Sequence, residues 1–153
     1  RMLLLASPEF IETYGMPKHV EDLKELPAAS YSSPSKRISG IRYRNADGDI
    51  IEQNIKSVFR ANDAEVLLMK AISGNAYVLA PAFILDDEVK RGDLVPILTD
   101  MELLDYSAVY AVYPHRDLPV RTRLFFDAMR EYIGKDIPVW EANIPDFETM
   151  YKG

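Results

Sequence analysis

Cysteine is absent from the 153 residues and histidine occurs only twice. Without cysteine there are no disulfides, no thiolate nucleophile and no zinc–thiolate site, which fits a reducing cytoplasm. A histidine-rich metal site would need His19 and His115 to converge with carboxylates, and their spacing gives no sign of that. One lies in a turn between helical pieces and the other in "YPHRDLP", so both read as surface loop residues. Long apolar runs are also missing. "AVYAV" falls far short of the roughly 20 residues a bilayer requires, and "RMLLLASPEF" lacks the flanking regions of a signal peptide. No serine stands in a G-x-S-x-G elbow, and neither a Walker loop nor a G-x-G-x-x-G is present. "NADGD" faintly resembles a calcium loop. With Gly48 as its glycine, however, Tyr43 and Asn54 occupy the positions that require Asp and Glu. Basic charge is short too: 18 Lys and Arg against 24 Asp and Glu leave a formal charge of −6. That sign repels phosphate backbones. The nearest basic run, "KRISGIRYR", alternates as a strand, with Arg42 and Arg44 on one face and Ile41 and Tyr43 on the other.

What is present can build a core, since 48% of the residues are hydrophobic. The length suits one domain of ordinary size, or one and a half lobes of a larger one. A strand-like run follows Arg1 almost at once, as in a chain cut from something longer. "MLLLA" reads as a buried strand, with Ser7 as N-cap and Pro8 in the first helical turn. The helix "PEFIETYG" ends at Gly15, a left-handed cap. After a helical turn in "VEDLKEL" comes the short strand "AASYS". "ISGIRYRN" and "IIEQNIKSVFR" then form an antiparallel pair across "ADGD", whose Asp-Gly suits a tight turn.

Asn62 and Glu65 have capping-box spacing ahead of an apolar run. Ala64, Leu67, Leu68, Ala71 and Ile72 make one stripe of an amphipathic helix ending near Gly74. "AYVLA" is a buried strand, and Pro81 opens the helix "AFILDDEVKR", stopped by Gly92. "LVPIL" is an edge strand because Pro96 interrupts it. "YSAVYAVY" is apolar on both faces, as in a sheet covered on both sides. Pro119 starts a long helix with Val120, Leu124, Ala128 and Tyr132 on one stripe, and the aromatics at 110, 113, 125 and 126 follow core periodicity without need of a cofactor. The tail "GKDIPVWEANIPDFETMYKG" is aperiodic, either a docked extension or a disordered end.

Alternating strands and helices give an α/β domain with a mixed sheet. Ligands of such sheets settle beyond strand carboxyl ends, near helix N-termini. Asn62 and Asp63 occupy such a mouth, where they cap the helix, face a ligand, or divide the two roles. The acids of "DDEVKR", at 86 to 88, are candidates for a general acid and base. The same acids suit a solvated first helical turn, where the helix dipole favours them.

The order of motifs resembles the effector-binding domain of LysR-type transcriptional regulators. "LLASPEFIETYGMPKHVEDLKELPAASYS" is similar to that family's strand, "ASP" with an aromatic, short helix to "G-x-P", and "DL". The stretch from "GDIIEQN" to "GDLVPIL" is similar to its "ND" helix, small-residue turn, strand, "P-x-F" and "G-x-L-V-x-x-L". "VYAVYPHRDLPVRTRLFFDAMREYI" is similar to its closing strand, "YP-x-R-x-L-P" loop and last helix. The likeness spans about residues 2 to 133. Two departures stand out: Ile41 and Tyr43 replace a frequent "W-x-F", and "SGNAYVLA" puts Asn75 and Tyr77 in place of the small or aliphatic residues of "AGLGIA".

The resemblance implies a periplasmic-binding-protein-like (type 2) mixed sheet with flanking helices. Residues 1–105 would be its second lobe, 106–133 a return strand and helix of the first lobe, and 134–153 a tail. It also implies a helix-turn-helix upstream of Arg1 as the sole route to DNA, a small-molecule effector between lobes, and a cytoplasmic location with no membrane partner and no cofactor. Ser32, Ser33, Asn62 and Asp63 are the expected ligand-binding residues, with hydroxyls and helix N–H groups favouring an anion. A return strand without its usual neighbours would leave apolar surface exposed and promote self-association. The alternatives are a stand-alone solute-binding domain, and an enzyme built on the acids at 86 to 88.

Overall fold

The computed structural model describes residues 1–106, 110–113 and 117–152. Strand β1 (Met2–Ala6) is buried at every position, which a strand sustains only with cover on both faces. Helix α1 (Pro8–Tyr14) follows, and the Ser7 hydroxyl accepts from the Phe10 N–H at 3.2 Å, as expected of an N-cap. Gly15 ends α1 with a positive φ of 84° but an extended ψ of 160°, so the expected left-handed helical cap is corrected to a turn into extended chain. A 3-10 turn, Val20–Lys24, leads to β2 (Pro27–Tyr31).

Strands β3 (Gly40–Arg44) and β4 (Ile50–Asn54) form the expected hairpin. The Asn45 side chain closes it by accepting from the N–H groups of Asp47 and Asp49, with Gly48 at φ 87°. The expected second strand "IIEQNIKSVFR" is in fact two. It breaks at Ile55, whose N–H donates to Ser39, and β5 (Lys56–Ala61) leaves the hairpin to run parallel to β2.

Helix α2 (Ala64–Ile72) and strand β6 (Tyr77–Pro81) lie where expected. The expected helix after Pro81 is two pieces, a 3-10 turn at Ala82–Ile84 and the short α3 (Glu88–Arg91), separated by extended, buried Leu85. Burying Leu85 in the core outweighs helix continuity over a stretch this short. Strands β7 (Val95–Pro96) and β8 (Glu102–Leu103) follow.

The larger sheet has the order β5-β2-β6-β1-β7, with β2 parallel to both neighbours and β1 antiparallel to both of its own. Pro96 sits at its edge, as a residue without an N–H must. The smaller, antiparallel sheet is β4-β3-β8. Arg42 and Arg44 on β3 are half-buried rather than fully solvated; Arg44 pairs with Glu102 at 2.8 Å. Helix α2 packs on β2, β5 and β6 through buried Leu67, Leu68 and Ala71.

Helix α4 (Val120–Ile133) forms after Pro119 but buries no residue. Val120, Leu124 and Tyr132 are each more than 60% exposed, and of the aromatics expected in the core Tyr110, Tyr113 and Phe125 are exposed and Phe126 is half-buried, so neither set is core. Residues 107–109 of the expected return strand, and His115, lie outside the described residues, while Tyr106 and residues 110–113 are in no strand. The tail is docked. Helix α5 (Val139–Ala142) and a 3-10 turn at Phe147–Thr149 bring Ile144, Phe147 and Tyr151 into the core.

Candidate ligand cavity

Parallel neighbours β2 and β5 end side by side, with Tyr31 opposite Ala61. Just beyond, the Ser32 N–H donates to the Ala61 carbonyl at 2.9 Å. The fold therefore brings Ser32-Ser33 and Asn62-Asp63 to the carboxyl ends of adjacent strands, although thirty residues separate them in sequence.

Local chemistry occupies the side chains of two of these four. Ser32 pairs with Arg37 as an isolated backbone bridge. The Ser33 hydroxyl accepts from the Lys36 N–H at 3.1 Å and closes its own turn. Asp63, not Asn62, is the N-cap of α2: one carboxylate oxygen accepts from the N–H groups of Glu65 (2.9 Å) and Val66 (3.3 Å). The chain's own carboxylate thus answers the positive helix end that was expected to favour an anion. Asn62 is exposed and outside the cap.

None of the four lines the cavity that opens beside them. This cavity, about 340 Å³, is walled by Tyr31, Lys36 and Ile38 from the chain after β2, Ala64 and Leu67 from α2, the β6 segment Val78–Pro81, Met2, Phe83, Ile84 and Tyr106. The volume is at the small end of ligand sites, and the lining is mostly apolar, as such sites are. Its polar groups are few. The Tyr106 hydroxyl donates to the Gly40 carbonyl, and the Tyr106 carbonyl accepts from the Lys36 ammonium at 3.5 Å. Burial pushes the Tyr106 phenol up to about 12, so it stays a neutral donor near neutral pH. The ammonium of Lys36 gives the rim one positive charge. Such a surface can hold a small molecule by apolar contact and orient it by the Lys36 cation.

The acids at 86 to 88 are not on this wall. Glu88 instead accepts from the Asp86 N–H at 2.7 Å. His19 is exposed at the start of its turn. Among the described residues no cluster of three or more His, Asp or Glu could hold a metal ion, and no helix is long and apolar enough to cross a membrane.

The four expected residues flank this wall: Tyr31 precedes Ser32 in the chain and Ala64 follows Asp63. One signal for the wall was in view, since both named residues of "P-x-F", Pro81 and Phe83, line the cavity. Lys36 and Tyr106 had none, because they meet only through the fold.

Comparison with known proteins places this geometry. The family model described as "LysR substrate binding domain" matches residues 1–134. Among curated relatives, the HTH-type transcriptional regulator CrgA of Neisseria meningitidis serogroup B is 26% identical over 140 residues, 90% of this chain and 45% of that protein. The HTH-type transcriptional regulator DmlR of Escherichia coli K12 is 26% identical over 137 residues, 89% of this chain and 44% of that one. The chain thus spans under half the length of these relatives. Among solved structures, the CrgA regulatory domain superposes with a TM-score of 0.66 at 27% identity, covering 88% of this chain and 65% of that one. The regulatory domain of AphB from Vibrio vulnificus gives 0.62 at 27% identity, covering 86% and 64%. The mixed sheet with flanking helices is therefore the periplasmic-binding-protein-like fold of such regulatory domains. By its motifs, its fold and the match over residues 1–134, the chain belongs to the LysR substrate binding domain family.

Proposed function

We propose that the chain is the effector-sensing part of a LysR-type transcriptional regulator, working in the cytoplasm and reaching DNA only through a helix-turn-helix outside these residues. The observation that carries this reading is the apolar cavity at the carboxyl ends of β2 and β5, within a chain of this family. On this reading residues 1–105 are the second lobe, 106–133 the return segment of the first, and 134–153 a tail. A small molecule seats its apolar body against Ile38, Leu67 and Leu79 and turns a polar group toward Lys36. Ser32, Ser33, Asn62 and Asp63 form the rim, where Ser33 closes its turn and Asp63 caps α2. The ligand acts by binding one arrangement of an oligomer better than another, and its effect is bounded by that difference. The exposed apolar stripe of α4 supports self-association. The net negative charge supports leaving DNA to another segment. No catalytic role is assigned.

Two measurements test this. Reading the coding DNA upstream of the Arg1 codon is expected to reveal a helix-turn-helix in the same frame; a secretion signal there would instead favour a solute-binding protein. Screening small molecules by thermal shift is expected to find compounds that stabilise the native chain but not Ala64→Phe, which narrows the cavity from a half-buried position on its wall. Equal stabilisation of both would place binding elsewhere.

A further inference from the structure

The family match ends at residue 134, yet the eighteen described residues after it are not an appendage. Three anchors fix them to the domain. Buried Tyr151 accepts from the Leu4 N–H at 3.2 Å, and its hydroxyl lies 2.7 Å from the Ile97 carbonyl, to which it donates. Ile144 and Phe147 are 5% and 2% exposed. The Arg1 guanidinium lies over the Phe147 ring at 3.9 Å, donates to the Phe147 carbonyl at 3.2 Å and reaches Glu141 at 3.2 Å.

So held, the tail presents α5 to the Ala82–Ile84 turn. Trp140 meets Phe83 edge to face, with ring centroids 6.3 Å apart at 73°, a geometry that aromatic quadrupoles favour. Phe83 is a wall of the cavity. Two backbone bonds also hold the turn, from the Ala82 N–H to the Arg1 carbonyl and from the Leu85 N–H to the Ala82 carbonyl, together with burial of Ala82 and Leu85. Arg1 thus touches the tail with its side chain and the turn with its carbonyl.

We propose that Trp140 is a positioning residue for the cavity: through Phe83 it fixes the outer wall, so the tail beyond the family domain shapes what the cavity admits. The consequence for ligand selection rests on the cavity being the effector site; the mechanical contact does not.

Hydrogen exchange of the whole chain tests it, because local opening is read amide by amide. Trp140→Ala is expected to speed exchange at residues 82–85 by about tenfold while Leu4 and Leu79 stay within about twofold. Trp140→Phe should restore most of the protection. Phe83→Ala, which removes the other half of the contact, should speed exchange at residues 139–142. Unchanged exchange at 82–85 in Trp140→Ala, no rescue by Trp140→Phe, or equal acceleration throughout the sheet would each overturn the proposal, the last by reducing Trp140 to general stability. If compounds still distinguish the native chain from Ala64→Phe, only this proposal falls. If the exchange pattern holds and no compound does, only the effector reading falls.

Discussion

Asp63 is surface-exposed, yet it decides how the mouth of α2 is closed. Its carboxylate accepts from two N–H groups of the first helical turn. Replacing it with Ala should cost about 1 kcal/mol, whereas Asn, an equal cap, should cost only a few tenths. Asn62→Ala should stay within about 0.5 kcal/mol, since it lies outside the cap. Urea titrations of the three variants check this ranking; a larger loss at Asn62 would reassign the cap. Asp22 makes a related prediction for pH. The N–H groups of His19 and Lys18 hold its carboxyl below the ordinary 3.8. The folded value is depressed, so the contribution is complete above the unfolded value and fades as pH falls through the folded one. Asp22→Asn should therefore flatten the stability curve below about pH 4 and leave its slope near neutrality unchanged.

At the scale of elements, α2 obeys its sequence closely. Leu67, Leu68 and Ala71 of the expected stripe are buried, while Ile72, at its end, is 37% exposed. Leu68→Ala should destabilise by about 2–5 kcal/mol, the usual cost of a core Leu, with Met69→Ala, 68% exposed, as the near-neutral control. Elements that depart from the sequence reading do so where a distant neighbour competes. Ile50 to Ala61 has the composition of one long strand. The ladder with β2 captures its second half, and the break at Ile55 is where the two sheets diverge. The stretch after Pro81 reads as one helix, but Leu85 turns into the core and divides it. Periodicity cannot see either event, because the partner strand or pocket lies tens of residues away in sequence.

Over the whole molecule, the core is closed from both ends of the chain, by β1 and by Tyr151. Tyr151→Phe would leave the Ile97 carbonyl short of a donor and should cost about 1–3 kcal/mol, read by thermal unfolding. Burial raises the phenols of both Tyr77 and Tyr151 well above their ordinary range. Raised folded values mean that the native state keeps protons the unfolded chain gives up. The stability they confer is intact below about pH 10 and is lost as pH climbs beyond it. Tyr151→Phe should show a shallower alkaline decline than the native chain. The exposed face of α4 belongs to this scale too. Leu124→Asp should shift sedimentation toward smaller species, and an unchanged distribution would remove α4 from self-association.

The residues alone determined the α/β class, the run β1–α1, the hairpin turn at Asn45–Asp49, the α2 stripe, the edge position of Pro96 and the start of α4 after Pro119. Each is set by neighbours within a few positions, through side-chain periodicity, capping hydroxyls and the missing N–H of proline, and the ordered motifs carried the family. Only the tertiary structure decided that β5 abandons its hairpin, that the tail is core, and that Tyr31, Lys36, Phe83 and Tyr106 enclose the cavity. A cavity is a relation among surfaces brought together by burial. Burial ranks alternatives by the apolar area that the whole chain removes from water, a quantity no local pattern contains.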